Sequence, residues 1–392
     1  MTTVPRNLTA IAKTGLDALN RQDFTTARDA LQQVTGLNTY DVSIWFALSQ
    51  AHAGLGDFEP AVAALDRVLN MQPTNVRALI SKADHLNTLG NTRAAAAHYQ
   101  TALRHAPPKS AAPKDIVEGL ERAQMMCERF AGLYRDHLMA GLEAAGYKDT
   151  RAPRVAQSLD IMFGRRRIYF QQPRFFYFPG LPNIEFYERS QFPWMEEVEA
   201  ATPNIRAELL TVLRDEAAFT PYVEGDPNLP RTNQSGMFNN PNWGAFYLRK
   251  NGTLLTDHVA RCPKTHTALN LVPMPDASQR CPSVLFSLLK PKTRIPAHHG
   301  FLNTRLICHL PLIVPEGCGF RVGGEVRKWQ EGKAWAFDDT IEHEAWNDSD
   351  QLRVILIFEI WRPELNEEER RLITAMFRSI DAYSTETPNW DI

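Results

Sequence analysis

The first third of the chain repeats itself with a period of 34 residues. Small residues, large residues, turn glycines and helix-ending prolines all recur at this one spacing. Small residues let paired helices approach, and large residues fill the space between them, so the period predicts stacked pairs of helices. The recurring positions are Ala27, Ala61 and Ala95; Leu31, Leu65 and Tyr99; Gly56 and Gly90; and Pro73 and Pro107.

The second repeat unit shows this pattern most completely. Its large Trp45, small Ala61 and helix-ending Pro73 fall where a helix–turn–helix unit needs them. From about residue 8 onward the chain resembles the tetratricopeptide repeat, although the first unit lacks the tryptophan and the proline. We therefore predict a helical, tetratricopeptide-repeat-like domain over residues 1–107. A plain helical bundle is the alternative interpretation.

A proline-rich break, APPKSAAPKD (106–115), ends the repeats. The apolar spacing that follows predicts a long helix from Asp115 to about Gly146. A stretch dense in arginine and aromatic residues (165–194) is interpreted as extended segments packing on a neighbouring sheet, and nucleic-acid binding is the alternative. Residues 108–174 are predicted to be a linker and a connecting helix.

Composition limits the classes of protein that the chain can belong to. At 392 residues, with 44% hydrophobic and 22% charged residues, it is long enough for two or three soluble domains. A net charge of −2 does not favour a nucleic-acid partner. The N-terminus lacks the apolar core of a signal peptide, and no run is long enough to span a membrane. Five scattered cysteines argue for a reducing compartment, so we expect a cytoplasmic protein.

From Val284 onward the sequence has the character of β-structure. Short apolar runs alternate with glycine and aspartate turns, which indicates an antiparallel sandwich or barrel. The runs are VLFSLLK, TRLICHLPLIV, CGFRVGGE, KAWAFDD and RVILIFEIW.

Four of the eleven histidines lie in this β-rich region, between positions 298 and 343. Non-haem iron oxygenases commonly hold Fe(II) with two histidines and one carboxylate and leave open positions for other ligands. A cosubstrate carboxylate in such a pocket needs a buried cation, and Arg353 follows His343 at the head of an apolar strand. The order of residues fits that arrangement, but Gly300 occupies the position where a carboxylate is expected after His298.

The stretch 284–365 resembles the aspartyl/asparaginyl β-hydroxylase family of 2-oxoglutarate oxygenases. The resemblance implies a double-stranded β-helix (jelly-roll) oxygenase domain over residues 175–392, with Fe(II) as cofactor, 2-oxoglutarate as cosubstrate and dioxygen. It also implies that only two protein ligands hold the iron, with water in the vacant position. The motifs that carry the resemblance are HHGFLNTRLICHLPL, GCGFRVGGE, EGKAWAFDDTIEHEAWN and RVILIFEIWRPEL.

The same resemblance implies a role for each of five residues. His298 and His343 would bind the iron, Arg353 would pair with the distal carboxylate of 2-oxoglutarate, and Ser287 and His309 would hydrogen-bond the cosubstrate. Strand alternation independently places Arg305, Ile307 and His309 on one face. His299 has no implied ligand role, and Asp338 and Asp339 are expected to order the turn or the surroundings of the ligands.

The predicted function is hydroxylation of a C–H bond, most naturally the β-carbon of Asp or Asn in a peptide or protein recruited through the helical repeats. Relatives that act on proteins carry cations where this chain has Leu285 and Ile307, so substrate recognition is expected to differ. Hydroxylation of a lipid acyl chain or another small molecule is one alternative. A second alternative is halogenation, with a halide in the vacant iron position. A third is a non-catalytic repeat scaffold with a sensor β domain.

Overall fold

A computed structural model describes residues 6–36, 41–223, 238–276 and 280–383. The chain divides into two compact units, Met1–Ala156 and Gln157–Ile392. The division falls within the segment predicted as linker and connecting helix.

The first unit is built from consecutive α-helices. The glycines that recur in the sequence, Gly56 and Gly90, lie at the turns within helix pairs with φ of +83° and +81°, a left-handed conformation that glycine adopts without strain. The helices are α1 (Arg6–Asn20), α2 (Phe24–Thr35), α3 (Val42–Gly54), α4 (Phe58–Met71), α5 (Val76–Thr88), α6 (Thr92–Arg104) and α7 (Lys114–Ala144).

The alanines and the large residues that recur every 34 positions lie in the interior of this unit. Ala27, Ala61 and Ala95 are fully buried, which lets the helices of each pair approach closely. Tyr99 is buried where the earlier units have leucine, and its hydroxyl donates a 2.5 Å hydrogen bond to Asp84. The prediction of tetratricopeptide-like helix pairs is confirmed, and α7 has nearly the predicted bounds.

The second unit combines helices with two antiparallel sheets. The helices are α8 (Pro153–Met162, which begins in the first unit), α9 (Met195–Ala200), α10 (Thr202–Val212), α11 (Thr256–Arg261), α12 (Pro263–Ala268) and α13 (Glu367–Tyr383). The strands are β1 (Thr220–Pro221), β2 (Trp243–Lys250), β3 (Thr253–Leu254), β4 (Val284–Leu289), β5 (Thr293–His298), β6 (Arg305–Ile313), β7 (Cys318–Val322), β8 (Glu325–Arg327), β9 (Trp335–Phe337), β10 (His343–Asn347) and β11 (Arg353–Trp361).

The strands form a seven-stranded and a four-stranded sheet. In the larger sheet the order is β1–β2–β4–β11–β6–β9, with β3 on β2, and in the smaller sheet it is β5–β10–β7–β8. Every pairing between these strands is antiparallel. The predicted class, helical repeats followed by a β-rich domain, is confirmed, while the jelly roll stays a prediction.

The larger sheet is buried on both faces. Phe286, Leu310 and Leu356 on one face pack with Val198 and Leu209 of helices α9 and α10. Alternate residues on the other face pack with the smaller sheet. Burial on both faces explains why β4, β6 and β11 read as nearly continuous apolar runs, and why a polar side chain facing the smaller sheet needs a partner.

Candidate active site

A cavity lies between the inner faces of the two sheets, and the five predicted site residues meet at its wall. Two of them come from strands of the smaller sheet, and three come from strands of the larger sheet. Residues that are 66 positions apart in the chain (287 and 353) are neighbours here because their strands, β4 and β11, pair. The five are Ser287, His298, His309, His343 and Arg353.

Strand pairing brings the two predicted metal ligands together. His298 ends β5 and His343 begins β10, and the antiparallel register sets them directly opposite each other, with ring centroids 4.0 Å apart. Nδ1 of His298 lies 2.7 Å from the carbonyl oxygen of Pro296, and Nδ1 of His343 lies 3.1 Å from that of Ile341. A carbonyl only accepts, so each Nδ1 carries the proton and each Nε2 keeps its lone pair, as a metal ligand requires.

Both imidazoles are held in the neutral form. Burial, together with a smaller effect of the neighbouring His343, lowers the pKa of His298 to about 3. Burial likewise lowers the pKa of His343 to about 4. Neutral imidazole is the form that binds transition metals, so near neutral pH the pair is ready to do so without losing protons.

Position 300, where a carboxylate was expected, accommodates only glycine because the side chain of Asp339 fills the adjacent space. A Cβ placed on Gly300 would lie 2.0 Å from Oδ2 of Asp339, and the Gly300 N–H donates to the main-chain oxygen of Asp339 at 2.7 Å. The Asp339 side chain therefore occupies the space that any side chain at position 300 would need. Its Oδ2 accepts a 2.9 Å bond from Arg305, whereas its buried Oδ1 has no hydrogen-bond partner.

Over the described ranges, no three His, Cys, Asp or Glu side chains form a group that could hold a metal ion. A metal at this position would therefore have the two histidines as its protein ligands. The donor set fits a ferrous ion, because two neutral imidazoles leave coordination positions open for other molecules.

Arg353 supplies a cation at another part of the cavity wall. Its side chain is buried, lies 5.1 Å over the ring of Trp329 and donates a 3.3 Å bond to the carbonyl oxygen of Ser287, while its Nε has no partner. Burial lowers its pKa to about 10, so it is still charged at neutral pH. In the part of the chain that the structure describes, the other buried arginines, Arg280, Arg305 and Arg362, each face a carboxylate, and Arg353 does not. Such a cation favours an anionic ligand.

Two tryptophans orient the remaining predicted residues. Trp243 donates to Oγ of Ser287, and Trp329 donates to Nδ1 of His309, both at 3.4 Å. Nδ1 of His309 thus accepts, which leaves its Nε2–H as a donor, and burial lowers the pKa of this histidine well below its usual value. The hydroxyl and the imidazole can both donate to a carboxylate that binds at Arg353.

Glu359 and the two tryptophans were not predicted from the sequence. Glu359 shares its strand face with Arg353 and is buried beside the cavity. A glutamate in the otherwise apolar run RVILIFEIW, at even spacing from Arg353, was the signal that could have found it. Asp338 behaves as expected, because it accepts from Thr340 within the turn and pairs with Arg362. His299 is partly buried at the cavity wall.

Residues 199–363 match the family described as Aspartyl/Asparaginyl beta-hydroxylase, and this range includes all five site residues. Residues 13–76 and 46–111 match the Tetratricopeptide repeat. Residues 199–363 are thus similar to an aspartyl/asparaginyl β-hydroxylase domain, and the residues before them are similar to tetratricopeptide repeats. Within the described residues, none of the helices combines the length and the apolar character that crossing a membrane requires.

Three relatives show how far the similarity extends. The Ornithine lipid ester-linked acyl 2-hydroxylase of Rhizobium tropici is 35% identical over 186 residues, which is 47% of this chain and 62% of that protein. The human Aspartyl/asparaginyl beta-hydroxylase is 37% identical over 34% of this chain and 18% of its own length. Its mouse counterpart is 27% identical over 88% of this chain, repeats included, and 43% of its own length. The chain thus spans less than two thirds of each relative.

Proposed function

We propose that this protein is an Fe(II)- and 2-oxoglutarate-dependent dioxygenase that hydroxylates an Asp or Asn β-carbon in a peptide or protein. The observation that carries the proposal is the presence, in one cavity, of two neutral histidines with converging rings and a buried arginine that faces no carboxylate of the described residues. The chemistry that bound ferrous iron would supply is the oxidative decarboxylation of 2-oxoglutarate by dioxygen, coupled to hydroxylation of a C–H bond.

The residues of the chain have separate tasks in this proposal. His298 and His343 would hold the iron through Nε2, since each Nδ1 proton is engaged by a main-chain carbonyl. Arg353 would bind the distal carboxylate of 2-oxoglutarate, with Ser287 and His309 as further donors. The aromatic and aliphatic side chains around them exclude water, which strengthens these charged contacts.

A lipid acyl chain is the second candidate substrate. The Rhizobium tropici relative is named as an acyl 2-hydroxylase, and much of the cavity wall here is aliphatic or aromatic. A helical repeat unit suits recruitment of a protein partner, which favours a peptide substrate instead. The two candidates share the same metal and cosubstrate site.

The test is iron-dependent release of carbon dioxide from 2-oxoglutarate by the full chain. His298→Ala and His343→Ala should each abolish this turnover and reduce the cobalt(II) bound per chain, measured by elemental analysis. His137→Ala, in an exposed position on α7, is the matched control and should change neither. Undiminished turnover in both site variants would refute the assignment, and a parent protein that binds neither iron nor 2-oxoglutarate would favour the scaffold alternative.

A further inference from the structure

An arginine- and aromatic-rich segment of the second unit has one face that carries exposed apolar side chains. Residues 168–177, which we call the exposed strip, are extended, and in their first half exposed and partly buried residues alternate. Ile168, Phe170 and Arg174 therefore point to one side, toward solvent. Tyr169 points to the other side and packs against a hydrophobic cluster. The strip thus has a packed inner face and an uncovered outer face.

The apolar side chains at this surface are large and more than half exposed. The exposed fraction is 62% for Phe170 and 55% for both Ile168 and Tyr177. Met162, which ends α8 a few residues earlier, is also exposed to 55%. Single apolar residues are common at protein surfaces, but several along one short segment mark a site that binds another surface.

The same part of the chain carries positive charge. Residues 161–184 contain four arginines and no aspartate or glutamate. Two of the arginines form ion pairs, whereas Arg167 and Arg174 face no carboxylate of the described residues. The guanidinium carbons of these two lie 5.6 Å from the ring centres of Tyr169 and Phe301, respectively. The strip therefore presents uncompensated positive charge beside its apolar side chains, which favours an anionic partner.

The main-chain N–H groups of the strip are already engaged. Every N–H from Gln171 to Phe176 donates to an oxygen of the protein, except at Pro173, which has none. The acceptors are the side chain of Asn183 and the carbonyl oxygens of Thr340, Gly300 and Phe301. A peptide that binds by strand addition needs free main-chain donors, so the strip can offer a partner mainly its side chains.

We propose that the exposed strip is the contact of this protein with the surface of an anionic lipid bilayer. Its apolar side chains would enter the interfacial region, and Arg167 and Arg174 would pair with lipid phosphates. The aliphatic Ile168 and Met162 favour lipid over single-stranded nucleic acid, whose bases stack on aromatic rings. The engaged main chain favours lipid over an acidic peptide. This proposal goes beyond the proposed function and does not depend on it, since no site residue belongs to the strip.

Flotation of the full chain with vesicles tests the contact. Vesicles of phosphatidylcholine alone are compared with vesicles of phosphatidylcholine and phosphatidylglycerol in equal amounts. The chain should bind the mixed vesicles about ten-fold more tightly or more, and added salt should weaken this binding, because arginines are attracted to the anionic surface. Absence of binding to the mixed vesicles, or equal binding to both kinds, would overturn the proposal.

A double variant tests the apolar part of the contact. Ile168→Ser with Phe170→Ser should weaken binding to the mixed vesicles about ten-fold or more, because less apolar area enters the bilayer. Leu133→Ser with Tyr134→Ser, at exposed positions on α7, is the matched control and should bind like the parent. Binding unchanged in the first variant would overturn the proposal. The comparison of the two kinds of vesicle with the parent protein decides the question if that variant does not fold.

A second double variant tests the charged part. Arg167→Gln with Arg174→Gln should also weaken binding to the mixed vesicles about ten-fold or more, while weak binding to phosphatidylcholine alone stays the same. Arg104→Gln with Arg129→Gln, at exposed positions of the repeat unit, removes the same charge elsewhere and is the control. Equal losses in both double variants would show that only net charge matters and would overturn the assignment to the strip.

Other occupants of the strip would be recognised by the same variants. Polyglutamate and oligothymidylate are titrated against the parent and the Ile168, Phe170 double variant, and neither should distinguish the two proteins. Binding of either polymer that is lost in the variant would assign the strip to an acidic peptide or a nucleic acid and overturn the proposal. A dimer that sedimentation detects in the parent and not in the variant would assign the strip to a second copy, with the same consequence.

Discussion

At the scale of single residues, main-chain carbonyls decide which form of histidine the cavity contains. Both metal-ligand candidates donate from Nδ1 to the carbonyl of the residue two positions earlier, His298 to Pro296 and His343 to Ile341. Because this hydrogen bond recurs at the ends of two paired strands, both Nε2 atoms point away from the backbone. Because the rings are also buried, their neutral form is favoured.

The buried histidines predict acid sensitivity of the metal-free protein. The pKa of His343 is lowered to about 4 from an ordinary 6.5, so the unfolded chain binds more protons than the folded chain between these values. The free energy of unfolding should therefore fall as pH falls from 7.5 to 5.0, by about 2 kcal/mol for this residue. Urea unfolding at both pH values, with a chelator present, measures this decrease in the free energy of unfolding. His343→Gln should show a smaller decrease than the parent, and the control His105→Gln should show the same decrease as the parent. Equal decreases in all three proteins would contradict the prediction.

Gly300→Asp should not create a third metal ligand. Its Cβ would lie 2.0 Å from Oδ2 of Asp339, so either the loop or the Asp339 carboxylate, which pairs with Arg305, must move. We expect a lower melting temperature and weaker cobalt(II) binding. The double variant Gly300→Asp, Asp339→Gly relieves the overlap and should recover part of the stability. Gly132→Ala on α7, where the nearest atom is 3.9 Å away, is the control. A fully stable single variant with tighter metal binding would contradict this account.

Changes at Arg353 should affect 2-oxoglutarate more than metal. Lysine keeps the charge but loses the planar pair of donors and the contact over Trp329, so Arg353→Lys should raise the 2-oxoglutarate requirement about ten-fold or more. Arg353→Ala should raise it further, and His309→Ala less, since the imidazole contributes one hydrogen bond. Titration of 2-oxoglutarate against cobalt-loaded protein measures the order. The exposed Arg378→Ala is the control, and unchanged affinity in Arg353→Ala would place the carboxylate site elsewhere.

At the scale of elements, the position of His343 depends on strand β10, which lies between β5 and β7 in the smaller sheet. Its register with β7 pairs Trp346 with Gly319, and a Cβ on that glycine would lie 2.2 Å from the indole ring. The indole thus lies flat against the backbone of the neighbouring strand. A small residue on β7 therefore helps to fix the strand that carries a candidate metal ligand.

Gly319→Ala should consequently disturb the site from a distance. The new methyl group must displace the Trp346 ring or the strand, at a cost of roughly 1–3 kcal/mol. We expect a lower melting temperature together with weaker cobalt(II) binding, although no metal-site atom is altered. The matched Gly132→Ala change on α7 should leave both unchanged or slightly raise stability, because alanine favours helix. Loss of stability with unaltered metal binding would show that β10 keeps its position by other contacts.

At the scale of the whole molecule, the chain consists of two units with separate hydrophobic cores. Alanine and leucine residues at the repeating positions contribute to the hydrophobic core of the repeat unit. The β-rich unit has a hydrophobic cluster on each face of its larger sheet. All five site residues belong to the second unit. The proposed chemistry and the proposed recruitment of a partner are therefore assigned to different parts of the chain.

This separation predicts the effect of removing the repeats. A truncated chain that begins at Pro153 keeps α8 and every site residue, so it should retain turnover of 2-oxoglutarate in the absence of substrate. If the repeats recruit a protein substrate, stimulation of turnover by that substrate should decrease much more than basal turnover. Parallel assays of both chains measure the two effects. Equal losses would indicate that the repeats act only in stability.

The sequence by itself determined the features that depend on local spacing. The 34-residue period predicted the helix pairs, because packing between neighbouring helices imposes small and large residues at fixed positions. Apolar runs with turn residues predicted the strands. The order of His298, His343 and Arg353 indicated a metal and anion site before any fold was known. Alternation along β6 also placed Arg305 and His309 correctly on one face.

Only the tertiary structure decided how these groups act on one another. Gly300 and Asp339 are far apart in the chain, and the sequence could not show that one side chain fills the space left by the other. It also could not show that Arg305 pairs with two carboxylates, while no carboxylate in the described part of the chain faces Arg353. The reason is physical: excluded volume and charge compensation depend on distances between atoms, and strand pairing across the sheets sets those distances.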